Sequence, residues 1–239
     1  MQLKNLIATV AFAASTALAA PKNLTLEQQL ELATNGIERI DILAEQGGNE
    51  SFVFDFNKPP KAAVAQNVTS GSVVTAVGGS FPALIGSDAA MYVFKLGPCG
   101  MIVPHAHPRA DEFVITTEGE IFTQFLTESE SQIITNTLSE YQASLFPMGS
   151  FHFEMNPTCK PATFIGNFNS NDPGNTFVAP NFFSQDDKAV LAQLGGVVSG
   201  KDLASIRDKL PEGPVASVEQ CLKKCGIKEN EKRDLSSLL

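Results

Sequence analysis

The sequence predicts a mainly β protein, an antiparallel sandwich or barrel framed by helices at both ends. Short β-rich runs separated by Gly, Pro, Asn and Ser fill the stretch from Phe52 to about Phe168. The clearest are "SVVTAV", "AAMYVFKL", "EFVITT", "EIFTQFL", "SQIITNTL" and "ATFIGNF". Many short strands at this spacing suit a sandwich or barrel. Capped helical patterns lie before and after this stretch, and no internal repeat is visible. A length of 239 residues fits one domain with extensions.

The first residues, "MQLKNLIATVAFAASTALAAPKN", read as a secretory leader. Lys4 supplies the positive end, Leu6 to Leu18 the apolar core, and Ala17-Leu18-Ala19 the small-residue cleavage signal. Pro21 disfavours a cut just before it, so the expected cut is Ala19/Ala20. The apolar run is too short to span a bilayer.

A helical arm follows. Thr25 with Gln28 three residues later forms a capping-box pattern. Leu26, Leu30, Ala33, Ile37, Ile40 and Ala44 then recur on one helical face, and Gly47-Gly48 stops it. Such an arm is expected to pack on the core or on a neighbouring subunit. In the β region, "TTEGEI" reads as a tight hairpin. In the tail, "SQDDKAVLAQLGG", "GKDLASIRDKLP" and "SVEQCLKKCG" are three short helices, too small to fold alone. They are expected to cover a sheet edge or build a subunit interface. The chain thus divides into a leader at 1–19, an arm at 20–50, a β barrel at 51–184 and a helical extension at 185–239.

Without the leader, 16 basic residues face 26 acidic ones. Such a surface repels nucleic acid and anionic lipid heads. A small anionic substrate would therefore need a local positive charge, such as a metal. Secretion makes Asn23, Asn49 and Asn67, each in an N-x-S/T sequon, candidates for glycosylation.

Of three histidines in the chain, two stand in "PHAHPRADE". On a strand, residues two apart face the same side, so His105 and His107 point together. Pro104 and Pro108 oppose a helix there. Glu112 follows after a short bend. His152, the third, lies in "FPMGSFHF", also beside a turn in a β-rich segment. Imidazoles with a carboxylate on one face form most of a metal site that keeps open positions. Phe113, Phe151 and Phe153 neighbour these residues in sequence and are expected in the barrel core or a pocket wall. Glu118 and Glu120 flank a turn and are expected in solvent. Arg109 and Asp111, next to ligands, are expected to face away, and no second carboxylate suited to general acid work is evident from spacing.

This text resembles the two-part cupin signature, and more closely germins and the related spherulin-like proteins. In the first motif, G-x5-H-x-H-x3,4-E-x6-G, the matching residues are His105, His107, Glu112 and Gly119, with Cys99 at the leading glycine. In the second, G-x5-P-x-G-x2-H-x3-N, they are Pro147, Gly149, His152 and Asn156, with Tyr141 at the leading glycine. "FPAL", "HPRADE", "FPMGSFHFEMN" and "FNSNDPG" extend the likeness over about residues 50–190. The resemblance implies a cupin jelly-roll barrel holding one metal ion, usually manganese, through His105, His107, Glu112 and His152. It further implies homo-oligomers, trimers or hexamers, and an extracellular or cell-wall location. Oxalate oxidase or superoxide dismutase chemistry on a small anion is one implied activity; a structural role in walls or encystment, without catalysis, is the other.

Four cysteines in a secreted chain suit two disulfides. In a jelly roll the His105/His107 strand should lie antiparallel beside the His152 strand. A register that sets the histidine pair opposite His152 also sets Cys99 opposite Cys159, predicting that bridge. Cys221 and Cys225 would then form a local pair.

Overall fold

A computed structural model describes residues 24–67, 70–211 and 213–228 of the chain. The expected leader and the sequon at Asn23 lie outside them.

The arm forms two helices. Helix α1 (Leu26–Leu32) starts at Thr25, whose hydroxyl accepts from the Gln28 amide while the Gln28 side chain accepts from the Thr25 amide. Helix α2 (Gly36–Gly47) starts at Asn35, which caps the Glu38 amide, and Gly48 ends it at φ 60°. The expected single apolar face does not survive the break between them. Leu30 and Leu43 are buried with Ile85, whereas Ile37 and Ile40 are exposed. Capping at Asn35 resets the helical phase, so the face read across the break is not continuous.

Among the described residues twelve strands follow in order: β1 (Val64–Asn67), β2 (Gly71–Ala76), β3 (Ala90–Leu96), β4 (Gly100–Ala106), β5 (Glu112–Glu118), β6 (Glu120–Leu126), β7 (Ile134–Ser139), β8 (Ala143–Phe146), β9 (Phe151–Met155), β10 (Ala162–Phe168), β11 (Thr176–Phe177) and, late in the tail, β12 (Val215–Ser217). One sheet runs β1-β2-β3-β10-β5-β8; the other runs β11-β4-β9-β6-β7, with β12 added to β4. Their inner faces make the core by strict alternation. Ala90, Tyr92, Phe94 and Leu96 of β3 point inward, as do Ala162, Phe164, Gly166 and Phe168 of β10. The register pairs Phe94 with Phe164, whose rings stack 4.3 Å apart. Each such buried phenylalanine contributes roughly 1.5–3 kcal/mol relative to exposure. The turn at Gly119 (φ 75°) is tight as expected. It is not a hairpin within one sheet, because β5 and β6 belong to different sheets and the turn carries the chain across.

The tail forms α3 (Val178–Phe183), α4 (Asp187–Gln193), α5 (Gly200–Arg207) and α6 (Glu219–Lys224). Asp186 caps α4 and Ser199 caps α5. Between them and α6, β12 pairs Val215, Ala216 and Ser217 with Ile102, Met101 and Gly100. The tail therefore covers the edge of β4, the strand bearing His105.

The predicted cysteine pairing is corrected here. Cys99 bonds Cys221 and Cys159 bonds Cys225. Strands β4 and β9 are antiparallel neighbours, as expected, and His105 pairs with His152. A bulge between Ile102 and His105 shifts the register, so Met101 pairs with Met155. Continued outward, that register sets Cys99 opposite Pro157 rather than Cys159, and the Cys99 amide donates to the Thr158 carbonyl. Helix α6 fills the space, bringing both of its cysteines onto this end of the barrel. The expected local Cys221–Cys225 bridge is absent for the same reason.

Both residues at glycine positions of the motifs keep the backbone that glycine favours. Cys99 has φ 59° and Tyr141 φ 62°, a region costly for residues with a Cβ. Cys99 is held there by its disulfide and its hydrogen bond to Thr158. Tyr141 is an exposed turn residue whose amide donates to the Thr116 carbonyl, a bond that glycine would keep. Tyr141→Gly should therefore raise unfolding stability by about 0.5–1 kcal/mol, readable as a higher urea midpoint; a lower midpoint would contradict the strain.

Candidate metal centre

His105 ends the inward series of β4, and His107 stands just past that strand's last residue. Glu112 opens β5 and His152 is the second residue of β9. All four are buried, at 1–3% exposure. Their donor atoms lie within 4.8 Å of one another.

Each imidazole is oriented by a backbone carbonyl on its far side. The Nδ1 atoms of His105, His107 and His152 lie 2.9, 2.6 and 2.9 Å from the carbonyls of Val103, Gly174 and Ser150. A carbonyl only accepts, so Nδ1 carries the proton and each neutral ring keeps its Nε2 lone pair. Glu112 Oε2 lies 3.0 Å from His152 Nε2 and 3.2 Å from His107 Nε2. Lone pairs and a carboxylate this close repel unless protons or a cation sit between them. Glu112 Oε1 and His107 Nε2 have no hydrogen-bond partner although both are buried. Unsatisfied buried donors and acceptors of this kind are costly, and a shared divalent cation satisfies them together. The residues present fit such an ion.

The electrostatics agree. Burial, then repulsion from the other two imidazoles, pushes the His105 pKa well below its ordinary value, which keeps it a neutral ligand. Burial opposes ionisation of Glu112, but the adjoining imidazoles of His107 and His152 outweigh it and hold Glu112 well below the usual carboxylate range. A divalent ion among these donors would keep it ionised as well.

Further residues brace the centre. Phe146 stacks on His152 at 4.6 Å and Phe168 packs edge-on against His107 at 4.7 Å. Arg109 and Asp111 face away from the donors, as expected. Arg109 pairs with Asp172 at 2.7 Å and Asp111 accepts from Asn169 and the Met148 amide, fixing the loop that supplies Gly174. Buried Asn156 donates to the Gly97 and Lys160 carbonyls and accepts from Thr158, tying the β3–β4 turn to the β9–β10 turn. Glu118 is exposed and Glu120 half-buried, neither near the donors.

Phe113 and Phe151, expected in the core or a pocket wall, are instead 51% and 46% exposed, and Phe153 is only half-buried. Each is one residue from a ligand on its strand, so alternation turns it outward. Conversely, a second carboxylate is present: Glu154 is fully buried, its Oε1 is 4.0 Å from His152 Nε2, and neither oxygen has a hydrogen-bond partner among the described residues. Burial and the negative charge of Glu112 push its pKa well above the ordinary range. Its signal was the two-residue step from His152 on the same strand. His105 and His107 also line a cavity of about 280 Å³.

Comparison with known proteins places this geometry. Residues 56–193 match the family described as Cupin. The chain belongs to the cupin family. This cupin is 35% identical over 206 residues to Spherulin-1A of Physarum polycephalum, covering 85% of this chain and 80% of that one. With Spherulin-1B of the same organism it shares 34% identity, across 95% and 93% of the two chains. A germin-like protein, subfamily 2 member 3 of Arabidopsis thaliana, is 30% identical over 63% of this chain and 69% of its own. Among solved structures, an oxalate oxidase in complex with the substrate analogue glycolate superposes with a TM-score of 0.62. It is 21% identical and covers 71% of this chain and 85% of that one, a likeness that speaks to the fold.

One glycine of this cupin lets the centre close. A Cβ on Gly166 of β10 would run into Glu112 Oε1 and crowd Phe94. A glycine inside a strand often marks such a close approach. Gly166→Ala should push the Glu112 carboxylate aside and weaken metal binding by about 10–100-fold, measured by competition with a chromogenic chelator. Unchanged affinity would show that Glu112 does not need this space.

Proposed function

We propose that this cupin is a secreted metalloprotein whose His105, His107, Glu112 and His152 hold one divalent ion, manganese, and present its open positions to a small anion. The observation that carries the reading is that His105 and His107 form both the donor cluster and a wall of the adjoining cavity. An ion among these donors would thus have one side toward space large enough for a ligand. Three imidazoles and one carboxylate are a donor set that leaves octahedral positions free. When bound, the ion would supply a redox centre and a positive charge to hold the anion. The chain's own part is to fix three neutral imidazoles through backbone carbonyls, to keep Glu112 ionised, and to exclude bulk water. Oxalate and superoxide are the substrates that the germin resemblance suggests. Two disulfides support an oxidising compartment, extracellular or in the cell wall. Asn49, in a sequon, is exposed to a glycosyltransferase. Exposed Ile37 and Ile40 on α2 support the arm as a contact surface in a homo-oligomer, a trimer or hexamer, which light scattering would read directly.

A second reading rests on the comparisons. The spherulins align along nearly the whole chain, whereas the germin-like relative aligns over about two thirds. Under that reading the protein is a structural component of a wall or cyst, and the ion only locks the barrel. The two readings differ in whether the ion carries an exchangeable water. Manganese-loaded protein should enhance water-proton relaxation and lose that enhancement when an anion binds. It should also yield hydrogen peroxide from oxalate or dismute superoxide. A loaded protein without exchangeable water and without either activity favours the structural reading.

A further inference from the structure

The cavity beside the donor cluster has a composition that restricts what can sit on the metal. Beyond His105 and His107, the large side chains of its wall include Val73, Tyr92, Phe94, Ile102 and Phe177, with Thr75 and Asn175 as neutral polar groups. Val73, Tyr92, Phe94 and Ile102 are at most 5% exposed. These five large side chains, Phe177 included, come from β2, β3, β4 and β11. Tyr92 adds its ring, its hydroxyl being engaged with Asn175. Among the described residues no lysine or arginine lines the cavity.

Charge then sets the valence of the occupant. A divalent ion with ionised Glu112 and three neutral imidazoles carries a net charge of about +1 by simple ligand bookkeeping. One carboxylate brings the centre to neutrality. A second carried at the far end of a chain would sit away from the ion against mainly apolar walls, where burying an unpaired charge is costly. Size sets the rest: a cavity of about 280 Å³ is far larger than a bare carboxylate.

Resting on the metal reading above, we infer that the ligand of this site is a monocarboxylate with an apolar body, its head on the ion and its body against Phe94, Ile102 and Phe177.

The test uses hexanoate, adipate and acetate as probes in calorimetric titrations of manganese-loaded and metal-free full-length protein. Adipate matches hexanoate in chain length but ends in a second carboxylate, and acetate keeps only the head. Hexanoate should bind the loaded protein at least tenfold more tightly than either. Phe177 is only half-buried, so Phe177→Ala should fold and take up metal while narrowing the hexanoate-to-acetate ratio. Equal affinity for hexanoate and acetate, or tighter binding of adipate, would overturn the inference and leave the metal reading intact. Hexanoate binding that is undiminished in metal-free protein would overturn the head-group contact, and with it the proposed function.

Discussion

His107→Ala should abolish stoichiometric metal binding and cost the protein the stabilisation that the ion provides. At a free metal concentration about a thousandfold above Kd, that stabilisation is about 4 kcal/mol. For a chain of this size it corresponds to a Tm lower by roughly 8–16 °C. His107 is buried and packed on Phe168, so part of the loss would come from the cavity left behind. Chelation separates the two effects. Wild-type Tm should fall on adding a chelator and rise again with manganese, whereas the variant's Tm should respond to neither. A variant that still gains stability from metal would remove His107 from the ligand set.

Cys221→Ser should cost about 2–5 kcal/mol, because it opens a bridge spanning 122 residues. The bridge joins the start of β4 to α6, so its loss leaves α6 tied to the barrel by Cys159–Cys225 and by the β12–β4 pairing. Urea unfolding of the variant against wild type measures the cost. Peptide mapping without reductant checks the pairing itself. All four sulfurs crowd one end of the barrel, with Cys99 Sγ only 3.7 Å from Cys225 Sγ, so mapping should find Cys99–Cys221 and Cys159–Cys225. A Cys99–Cys159 peptide would contradict the structure.

Which features could be read from sequence follows from how local their causes are. Strand alternation alone put His105 and His107 on one side, and turn residues bounded most strands. The same rule applied from His152 reaches Glu154, although nothing in a lone glutamate's sequence neighbourhood announces burial. Alternation likewise turns Phe113 and Phe151 outward, where proximity in sequence had suggested core. The cysteine pairing lay beyond local reasoning. It depends on one bulge between Ile102 and His105 and on where a helix more than 100 residues later docks. The arm's exposed isoleucines depend on a break at Asn35 that resets the helical phase. Gly166 is legible only once Glu112 is known to lie across it.

The central claim is that three imidazoles and Glu112 converge on one ion. Pulsed EPR of manganese-loaded protein tests it most directly, using chains labelled with ¹⁵N only at histidine. The account predicts that the bound manganese couples to histidine nitrogens in wild type and that this coupled signal is lost in His105→Ala, His107→Ala and His152→Ala alike. Manganese that binds with full stoichiometry but shows no histidine nitrogen coupling would place the ion elsewhere and contradict the account.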